Sequence, residues 1–534
     1  MADKQLLLGD EAVALGALHA GLSGVYAYPG TPSTEITEYI QGHPLARERR
    51  VHDRWTTNEK TAMEGALGMS YAGKRALVCM KHVGMNVCAD PLMGSAMTGA
   101  NGGLVVTACD DPSMHSSQNE QDSRFWGTFG MMPVFEPSNQ QEAYEMTRAA
   151  FDYSEQRTIP VIMRLTTRMA HSRAVVTPAD DIRPQNELHY PTHPRRWVTL
   201  PVNARVRNRE LIKDYARFEE DAAVSPFNQL SDGPDHQLGI IACGIAYNYL
   251  MENYPDGCPY PVLKVSQYPF PRRLALQLAK MVPTILVLEE GQPLVENMLR
   301  GVFPVGTKIL GRIDETVVRD GELSPDEVRK ALGLPALPTL EASQVLAPRP
   351  PALCQGCGHR DFYTALNNVL KIDYPSARVF SDIGCYTLGY MAPFQAIHTC
   401  VEMGASFTMA QGAAYAGTWP AVGVLGDSTF THSGMTGLLD AVIDKANIVV
   451  FISDNSTTGM TGGQKSHAEG RLYQIVKGLG VDENHIRVVV PTKANHEEMV
   501  KVITEEIEYN GVSVIIPQRE CMQTLRRKTK AAKK

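Results

Sequence analysis

Two polar residues in the last third of the chain each follow a strongly apolar run. Asp427 follows the run 422–425 and Asn455 follows the run 448–452, so that the two residues lie 28 positions apart. Magnesium binds oxygen ligands at about 2.0–2.1 Å and is usually held by carboxylates together with the phosphates of a substrate or cofactor. Asp427 and Asn455 therefore predict a site for a magnesium-bound diphosphate. An ordinary loop with a helix cap is the alternative.

The spacing of these two residues resembles the thiamine diphosphate motif, in which Gly-Asp-Gly or Gly-Asp-Ser precedes an asparagine. Here the first part is the segment 426–428, and Asp454 stands where a second asparagine is commoner. We expect the backbone carbonyl of Thr457 to complete one face of the magnesium site. Upstream, Met403 is the candidate for the large apolar side chain that holds thiamine in its bent shape. A plain core methionine is the alternative.

A thiamine enzyme also needs a glutamate that hydrogen-bonds the pyrimidine ring of the cofactor, and its carboxyl must sit in a fairly apolar cleft. Glu59, at the start of the predicted helix 59–72, is the candidate. Glu64 on the same helix competes with it, and a solvated helix glutamate is the alternative for both. Thr31, in the predicted turn 28–33, is expected to point into the same cleft.

Four of the ten cysteines are placed for metal or redox chemistry. Cys354 and Cys357 form a CxxC pair, whereas Cys385 and Cys521 each follow a predicted strand. Four thiolates suit a [4Fe–4S] cluster, and zinc or buried cysteines without metal are the alternatives. The remaining six lie in strand or helix patterns and are expected to pack as small apolar side chains. They are Cys79, Cys88, Cys109, Cys243, Cys258 and Cys400.

The elements that must position these residues alternate between apolar strands and helices, which indicates an α/β fold with parallel sheets. A helix is also expected over 431–444, between Asp427 and Asn455, and its N-terminus can receive a phosphate. Both residues then fall at the carboxyl edge of a parallel sheet, where open α/β sheets bind ligands. The predicted strands are 24–28, 76–80, 104–107, 160–163, 238–244, 284–290, 379–381, 422–425, 448–452 and 512–516.

We expect three α/β modules joined by linkers. The modules are 1–180, 236–332 and 352–525, of which the first and last are similar in size and pattern. Residues 181–235 are polar and are predicted to be an irregular linker or wrapping segment, and 333–351 form a proline-rich linker. The basic tail 526–534 is expected to be solvated, with docking to an acidic partner as the alternative. Its charged residues are Arg526, Arg527, Lys528, Lys530, Lys533 and Lys534.

The composition sets limits on the class of protein. The chain has 534 residues, of which 43% are hydrophobic, and this allows a large core. Its net charge of −7 gives no indication of nucleic-acid binding. Neither a signal peptide nor an apolar run of the ~18 residues that a membrane span needs is visible. We therefore expect a cytoplasmic protein without a membrane, whose thiols stay reduced.

Seven segments spread over nearly the whole chain carry a family resemblance. They are 28–32, 80–86, 110–122, 354–360, 382–389, 426–432 and 455–463. On these segments the chain resembles the alpha subunits of indolepyruvate:ferredoxin oxidoreductases, within the 2-oxoacid:ferredoxin oxidoreductase superfamily. The long string 110–122 is the most specific of them.

The resemblance implies a pyrimidine-binding module, a transketolase-C-terminal-like module and a diphosphate-binding module, in that order. It implies that Glu59 promotes the imino tautomer of thiamine diphosphate and that Mg²⁺ binds at Asp427, Asn455 and Thr457. It also implies one [4Fe–4S] cluster near thiamine at the four cysteines named above. The further cofactor-binding positions that it implies are Ile383, Gly384, Gly426, Ser428 and Thr429.

The implied reaction is the oxidative decarboxylation of 2-oxo acids, in particular arylpyruvates such as indolepyruvate, to acyl-CoA and CO₂. Coenzyme A would be a co-substrate, and a smaller beta subunit would complete an α2β2 heterotetramer. Family members normally carry a ferredoxin-like segment with two CxxCxxCxxxCP runs, and this sequence has none. The electrons would then leave the single cluster for ferredoxin or another carrier. Lys81, His82 and Arg124 are candidates for binding the substrate carboxylate, with structural roles as the alternative.

Three other classes of protein compete with this interpretation. A non-redox thiamine diphosphate decarboxylase or carboligase needs the same magnesium site but no cluster. A scaffold subunit without activity is disfavoured because the magnesium motif is intact. A nicotinamide dehydrogenase is disfavoured because no Gly-x-Gly-x-x-Gly opens a helix after a strand.

Overall fold

A computed structural model describes residues 4–191, 194–303 and 306–532 of the chain. It separates into two compact units, with the boundary between residues 340 and 341. Among the described residues, no helix has both the length and the apolar character that a membrane crossing requires. Lys533 and Lys534 of the predicted basic tail lie outside the described residues.

The first unit contains thirteen strands among its described residues. They are β1 (Gln5–Leu8), β2 (Gly24–Ala27), β3 (Ala76–Lys81), β4 (Leu104–Asp110), β5 (Val134–Phe135), β6 (Val161–Thr166), β7 (Arg173–Val176), β8 (Gln229–Ser231), β9 (Gly239–Cys243), β10 (Val262–Val265), β11 (Gln267–Tyr268), β12 (Thr284–Leu288) and β13 (Lys308–Leu310).

Helices alternate with these strands along the first unit. They are α1 (Gly9–His19), α2 (Thr34–Gly42), α3 (Pro44–Glu48), α4 (Glu59–Tyr71), α5 (His82–Val87), α6 (Ala89–Thr98), α7 (Arg124–Gly130), α8 (Gln140–Arg157), α9 (Thr167–His171), α10 (Pro201–Ala223), α11 (Ile245–Asn253), α12 (Arg272–Met281), α13 (Leu294–Leu299) and α14 (Pro325–Ala331).

Two large sheets organise the first unit. The six-stranded sheet has the order β11-β5-β6-β4-β3-β2, and all of its strands are parallel except β11. The five-stranded sheet has the order β13-β12-β9-β10-β8, in which only β8 is antiparallel. Every residue of β3 and β4 is buried, because helices cover both faces of a parallel sheet. β11 comes from the second predicted module but completes the sheet of the first.

The polar segment 181–235 is not irregular throughout. Its residues 201–223 form α10, a helix of 23 residues. Only four of its side chains are buried, so its apolar stripe is too narrow to stand out in the sequence. Those buried residues are Leu211, Phe218, Ala222 and Ala223. The expectation of an irregular linker is therefore wrong for this part of the segment.

A buried ionic network joins the two sheets of the first unit. Arg124 is fully buried; its guanidinium contacts Asp122 at 2.5 Å and Glu289 at 2.8 Å. Arg164 is equally buried and binds Asp110 at 2.6 Å and also Glu136. These contacts give Arg124 a structural role, which removes it from the candidates for binding a substrate carboxylate.

The second unit contains eight strands and seven α-helices among its described residues. The strands are β14 (Arg378–Ser381), β15 (Thr399–Cys400), β16 (Ala421–Gly426), β17 (Ile448–Ser453), β18 (Thr457–Thr458), β19 (Gln464–Lys465), β20 (Ile486–Val489) and β21 (Val512–Pro517). The helices are α15 (Gly358–Asp373), α16 (Ala405–Tyr415), α17 (Asp427–Thr429), α18 (Met435–Ile443), α19 (Leu472–Gly478), α20 (His496–Glu508) and α21 (Met522–Ala532).

A single parallel sheet forms the centre of the second unit. Its order is β15-β14-β16-β17-β21-β20, and all six strands run in the same direction. β16, β17 and β21 are completely buried, as expected for the middle of such a sheet. The described start of the predicted basic tail belongs to α21, and its residues 526–531 are exposed, as expected for a solvated tail.

Candidate active site

Asp427 lies at the carboxyl edge of the central sheet of the second unit. Gly426, the last residue of β16, pairs with Ser453, the last residue of β17. Asp427 and Asp454 therefore leave neighbouring strands at the same edge, and Asn455 follows at once. The backbone N–H of Asn455 lies near enough to the Asp427 carboxyl to lower its pKa, so the two predicted magnesium ligands lie close together.

The helix after β16 begins at Asp427 itself. The expected start of this helix at residue 431 is therefore wrong. Helical structure is continuous from α17 through the π-helical turn Phe430–Gly434 into α18. The N-terminus of this helix therefore lies directly beside the carboxylate. Such an N-terminus favours a bound phosphate.

The Asp427 carboxyl is buried and incompletely hydrogen-bonded, which suits a bound cation. Its side chain is only 2% exposed, and Oδ2 has no hydrogen-bond partner among the residues that the structure describes. Burial raises the pKa of Asp427 to about 7, and nearby Asp454 adds to the rise although a hydrogen bond from Ser466 opposes it. A buried carboxylate oxygen without a partner is costly unless a positive charge compensates it. Magnesium would supply that charge.

The segment after β17 offers further oxygen atoms at the same edge. Asn455 Oδ1 accepts a hydrogen bond of 3.1 Å from the backbone N–H of Thr457. The Thr457 hydroxyl donates to the carbonyl of Gln464 at 2.8 Å, and the hydroxyls of Ser428 and Thr458 lie 2.9 Å apart. Carboxylate, amide, carbonyl and hydroxyl oxygens form the donor set that magnesium prefers, so these residues fit a magnesium-bound diphosphate.

Asp454 is not available as an additional ligand. Its Oδ1 accepts from the backbone N–H of Ser456 at 3.0 Å, and its Oδ2 accepts from Gln518 at 2.7 Å. The aspartate that replaces the commoner asparagine therefore fastens the end of β17 to the end of β21. It repels the charge on Asp427 without offering an unpaired oxygen of its own.

A second buried aspartate at this edge holds the turn that contains Met403. Asp382 follows β14, and its Oδ2 accepts from the backbone N–H of Gly404 at 3.1 Å. Burial raises the pKa of Asp382 to about 7. Gly404 has a φ of +97°, and a Cβ there would lie 2.6 Å from the Cβ of Ser433. Only glycine suits this position, and the half-buried Met403 is held just before it.

Tyr386 connects Asp382 with the start of α17. Its hydroxyl donates to Asp382, and it lies 2.9 Å from the carbonyl of Ile383 and 3.0 Å from Thr429 Oγ1. Added Cβ atoms on Gly384 and Gly426 would come within 2.3 Å and 2.8 Å of the tyrosine ring. The predicted cofactor-binding positions Ile383, Gly384, Gly426 and Thr429 therefore surround one buried tyrosine.

The four predicted cluster cysteines line one cavity in the second unit. They share it with Asp454, Asn455 and His359, and the cavity holds about 650 Å³ of empty space, including open solvent. The backbone N–H of Cys521 donates to the carbonyl of Asn455 at 3.2 Å, which links the cavity to the magnesium segment. Cys354 is exposed, whereas Cys357, Cys385 and Cys521 are partly buried. Four sulfur donors in one cavity fit a [4Fe–4S] cluster, and the same set could hold zinc.

Electrostatics also indicate that these thiols lie close together. Burial, together with the thiols of Cys357, Cys521 and Cys354 and the carboxylate of Asp427, raises the pKa of Cys385 to about 12. Such a cysteine stays protonated at neutral pH unless a metal takes the place of the proton. Of the six cysteines expected to pack in the interior, Cys400 is exposed and Cys258 is only partly buried. For Cys400 the packing prediction is wrong.

Glu59 is the first residue of α4 in the first unit. Asn58 caps this helix by accepting a 2.9 Å hydrogen bond from the backbone N–H of Thr61. Glu59 is only 6% exposed, and a Cβ on Gly84 would lie 2.7 Å from its Oε1. By contrast, the Glu64 side chain is 47% exposed and pairs with Lys60. The burial and the close approach of Gly84 favour Glu59 over Glu64 as the candidate acid.

The turn that carries Thr31 lies against the end of β3. The hydroxyl of Ser116 is 3.4 Å from the carbonyl of Thr31, and the Lys81 ammonium donates to the carbonyl of Ser116 at 2.6 Å. Burial lowers the pKa of Lys81 to about 8. His82 Nε2 lies 3.0 Å from the carbonyl of Asn119. Lys81 and His82 thus fasten the segment 110–122 over the sheet edge where Thr31 lies.

Comparisons with known proteins agree with this geometry. Residues 15–216 match the family model described as pyruvate flavodoxin/ferredoxin oxidoreductase, thiamine diphosphate-binding, and residues 382–516 match that of the thiamine pyrophosphate enzyme C-terminal binding domain. The chain is 38% identical to the indolepyruvate oxidoreductase subunit IorA of Archaeoglobus fulgidus, over 97% of this chain and 86% of that protein. The IorA subunit of Methanothermobacter thermautotrophicus is 35% identical over 97% and 87%.

This chain belongs to the IorA family. The resemblance stated from the sequence is thereby confirmed, and so is the α/β thiamine diphosphate-binding fold. A 2-oxoglutarate:ferredoxin oxidoreductase from Magnetococcus marinus, solved with 2-oxoglutarate, coenzyme A and succinyl-CoA bound, has a similar fold. The TM-score is 0.50 at 16% identity, covering 62% of this chain and 65% of that chain.

Three polar residues of the site in this IorA family member were not predicted from the sequence. Asp382, Tyr386 and Ser466 are all buried. The Tyr386 hydroxyl donates to Asp382, and Ser466 acts on Asp427. Asp382 carries the same signal as Asp427, because each is a carboxylate that directly follows an apolar strand. Ser466 carries none, since it reaches Asp427 from a loop 39 positions further along the chain.

Proposed function

We propose that this chain is the catalytic subunit for thiamine diphosphate-dependent oxidative decarboxylation of 2-oxo acids. The substrates are arylpyruvates such as indolepyruvate, and the products are an acyl-CoA and CO₂. Electrons go to ferredoxin or another carrier. Membership of the IorA family supports the proposal, and the convergence of four cysteines beside Asn455 is the observation that carries its redox part.

The residues of the second unit hold the diphosphate end of the cofactor. Asp427, Asn455 and the carbonyl of Thr457 bind Mg²⁺, and the N-terminus of the helix at Asp427 receives the phosphate oxygens. Gly384 and Gly426 leave room beside Tyr386, while Asp382 sets the turn that presents Met403.

Glu59 acts on the pyrimidine end of the cofactor. Its buried carboxyl would hydrogen-bond a ring nitrogen of the pyrimidine and so promote the reactive tautomer. When bound, thiamine diphosphate supplies a carbon nucleophile and an electron sink, and a [4Fe–4S] cluster supplies a one-electron acceptor. Cys354, Cys357, Cys385 and Cys521 would hold that cluster.

The proposed assembly needs components that this chain does not carry. A smaller beta subunit completes an α2β2 heterotetramer in the cytoplasm, where the cysteines stay reduced until a metal binds them. Coenzyme A takes the acyl group, and the described residues indicate no site for it. Ferredoxin, or another one-electron carrier, completes the reaction.

The test is anaerobic purification with the partner subunit, followed by assays for iron, zinc and thiamine and by turnover of a panel of 2-oxo acids. We expect about four irons per chain, absorbance near 400 nm, and the highest rate with an arylpyruvate. Cys385→Ser should lower the iron content and the 400 nm absorbance. Cys400→Ser, a cysteine of the same unit that does not line the cavity, should keep both.

A non-redox decarboxylase or carboligase is the second candidate. This reaction needs Glu59 and the magnesium site, but it does not explain why four cysteines line one cavity. Full activity in an iron-free protein, with release of an aldehyde or a carboligation product in place of acyl-CoA, would favour this candidate. A colourless protein whose zinc is lost in Cys385→Ser would likewise contradict the cluster.

A further inference from the structure

Three potential metal ligands converge in the first unit, and none of them has a role in the function proposed above. Asp10 belongs to α1, Glu35 to the first turn of α2, and His171 is the last residue of α9. One ligand atom from each lies within 4.8 Å of the other two. Helix α1 packs against both α2 and α9, so the three residues belong to one packed layer.

Asp10 forms the closed, inner end of this cluster. It is 0% exposed, and its Oδ2 has no hydrogen-bond partner within the described part of the chain. Its other oxygen has only a 4.0 Å contact with the thiol of Cys109. Burial and the nearby charge of Glu35 raise the pKa of Asp10 well above its ordinary value. A buried carboxylate that lacks hydrogen bonds is stable only when it is protonated or neutralised by a cation.

Within the described residues, no lysine or arginine neutralises this pair of carboxylates, and the basic side chain beside Glu35 is His171, which pairs with it when protonated. Among the described residues, neither Asp10 nor Glu35 forms an ion pair with a lysine or arginine. The nearest arginine along the chain from the histidine, Arg173, is engaged with Glu11 at 2.9 Å. His171 Nε2 lies 3.5 Å from Glu35 Oε2, which is too long for a strong hydrogen bond.

The geometry leaves room for one ion. Zinc binds carboxylate oxygens and imidazole nitrogens at about 2.0–2.2 Å in a tetrahedral arrangement, so two ligands of one ion lie about 3.3–3.6 Å apart. The distance of 3.5 Å between His171 Nε2 and Glu35 Oε2 matches this value, and the limit of 4.8 Å for the whole set exceeds it by about 1.2 Å. The side chains of Glu35 and His171 are 37% and 34% exposed, so they can make that adjustment and leave positions open to water.

The donor set selects the class of ion. Magnesium and calcium prefer sites made of oxygen alone, whereas imidazole together with carboxylates suits zinc and neighbouring transition metals. We propose that Asp10, Glu35 and His171 form a binding site for a divalent transition-metal ion of the zinc class. The ion would join α1, α2 and α9. It would also fix the start of α2, which follows the turn that carries Thr31.

The experiment uses the full chain, purified anaerobically and passed over a chelating resin, with Zn²⁺ as the probe. Bound zinc is counted after equilibrium gel filtration, and calorimetry gives the affinity. We expect His171→Gln to bind one zinc fewer per chain than the unaltered protein, with the affinity of the lost site reduced at least tenfold. Because His171 lies at the surface, this substitution leaves the fold intact, as far-UV circular dichroism will check.

His236→Gln is the matched control. His236 is an exposed histidine 2.8 Å from Asp232, a histidine–carboxylate pair that contributes to no three-residue cluster among the described residues. The His236→Gln variant should bind as much zinc as the unaltered chain. The Asp10→Asn variant should lose the same single zinc as His171→Gln. Equal zinc binding by the unaltered chain and His171→Gln would overturn the proposal. Zinc bound to the magnesium residues or the cluster cysteines is the same in every variant and cancels in the comparison.

Discussion

The charge on Asp427 should make the chain less stable when no cofactor is bound. The carboxyl is buried beside Asp454 and has an oxygen without a partner, so its ionised form is poorly solvated. Asp427→Asn keeps the shape of the side chain and removes the charge. We therefore expect this substitution to stabilise the protein while it removes a magnesium ligand, an example of stability given up for function.

The size and the pH range of the effect follow from the pKa. Burial raises the pKa of Asp427 from 3.8 to about 7 in the folded chain. At 1.36 kcal/mol for each pH unit, the ionised carboxylate costs at most about 4 kcal/mol at pH 8. The folded chain holds the proton more tightly than the unfolded chain, so its stability falls as the pH rises from about 4 to about 7. Below pH 4 both states are protonated and the cost vanishes.

Thermal unfolding in EDTA, without thiamine diphosphate, measures this effect. For a unit of 150–250 residues, about 4 kcal/mol corresponds to a rise in Tm of roughly 8–16 °C, which is the upper limit for Asp427→Asn at pH 8. The difference should shrink steadily as the pH is lowered towards 4. Asp440→Asn, an exposed aspartate on α18, is the matched control and should leave Tm almost unchanged.

The cofactor should reduce or reverse the difference in Tm between the unaltered chain and Asp427→Asn. Thiamine diphosphate with Mg²⁺ binds the folded state and should raise the Tm of the unaltered chain, but not that of Asp427→Asn. The inference is that the folded chain disfavours the ionised carboxylate of Asp427. It would be refuted if Asp427→Asn were no more stable than the unaltered chain at pH 8 without cofactor, or if the difference in Tm did not change with pH.

The other predictions concern the first unit. Glu59→Gln should lower kcat at least 100-fold while thiamine diphosphate still binds by calorimetry, whereas Glu64→Gln should keep the rate; equal rates for both variants would remove Glu59 from the chemistry. Arg124→Met leaves two buried carboxylates without their partner, and urea unfolding should show a loss of about 3–5 kcal/mol. Arg168→Met removes only an exposed ion pair and should cost less than about 1 kcal/mol, so similar losses would contradict the account of the network.

Buried parallel strands were predictable from sequence because they are continuous apolar runs. Strands β4 and β17 are fully buried, and their predicted ranges, 104–107 and 448–452, lie within the observed bounds. The antiparallel pair β1 and β7 was missed, since each strand is short and at most one residue of either is buried. Such a strand has no apolar pattern of its own and depends on its partner.

The residues of the candidate site were likewise only partly predictable from the sequence. Asp427 and Asn455 could be located because each stands at a fixed place relative to its own strand. The role of Asp382 could not be predicted, because it depends on the backbone N–H of Gly404, whose orientation comes from a left-handed turn. The buried network around Arg124 and Arg164 could not be predicted either, because it joins segments that are far apart in the chain and has no local sequence pattern.

Strand β11 has a consequence for how the first two α/β blocks of this protein fold. Its two residues, Gln267 and Tyr268, pair with β5, and the Tyr268 hydroxyl reaches Glu136 at 2.8 Å. A chain shortened before residue 236 would expose the peptide groups of β5 to other molecules and invite aggregation. The first two α/β blocks should therefore fold together, and separating them should cost stability.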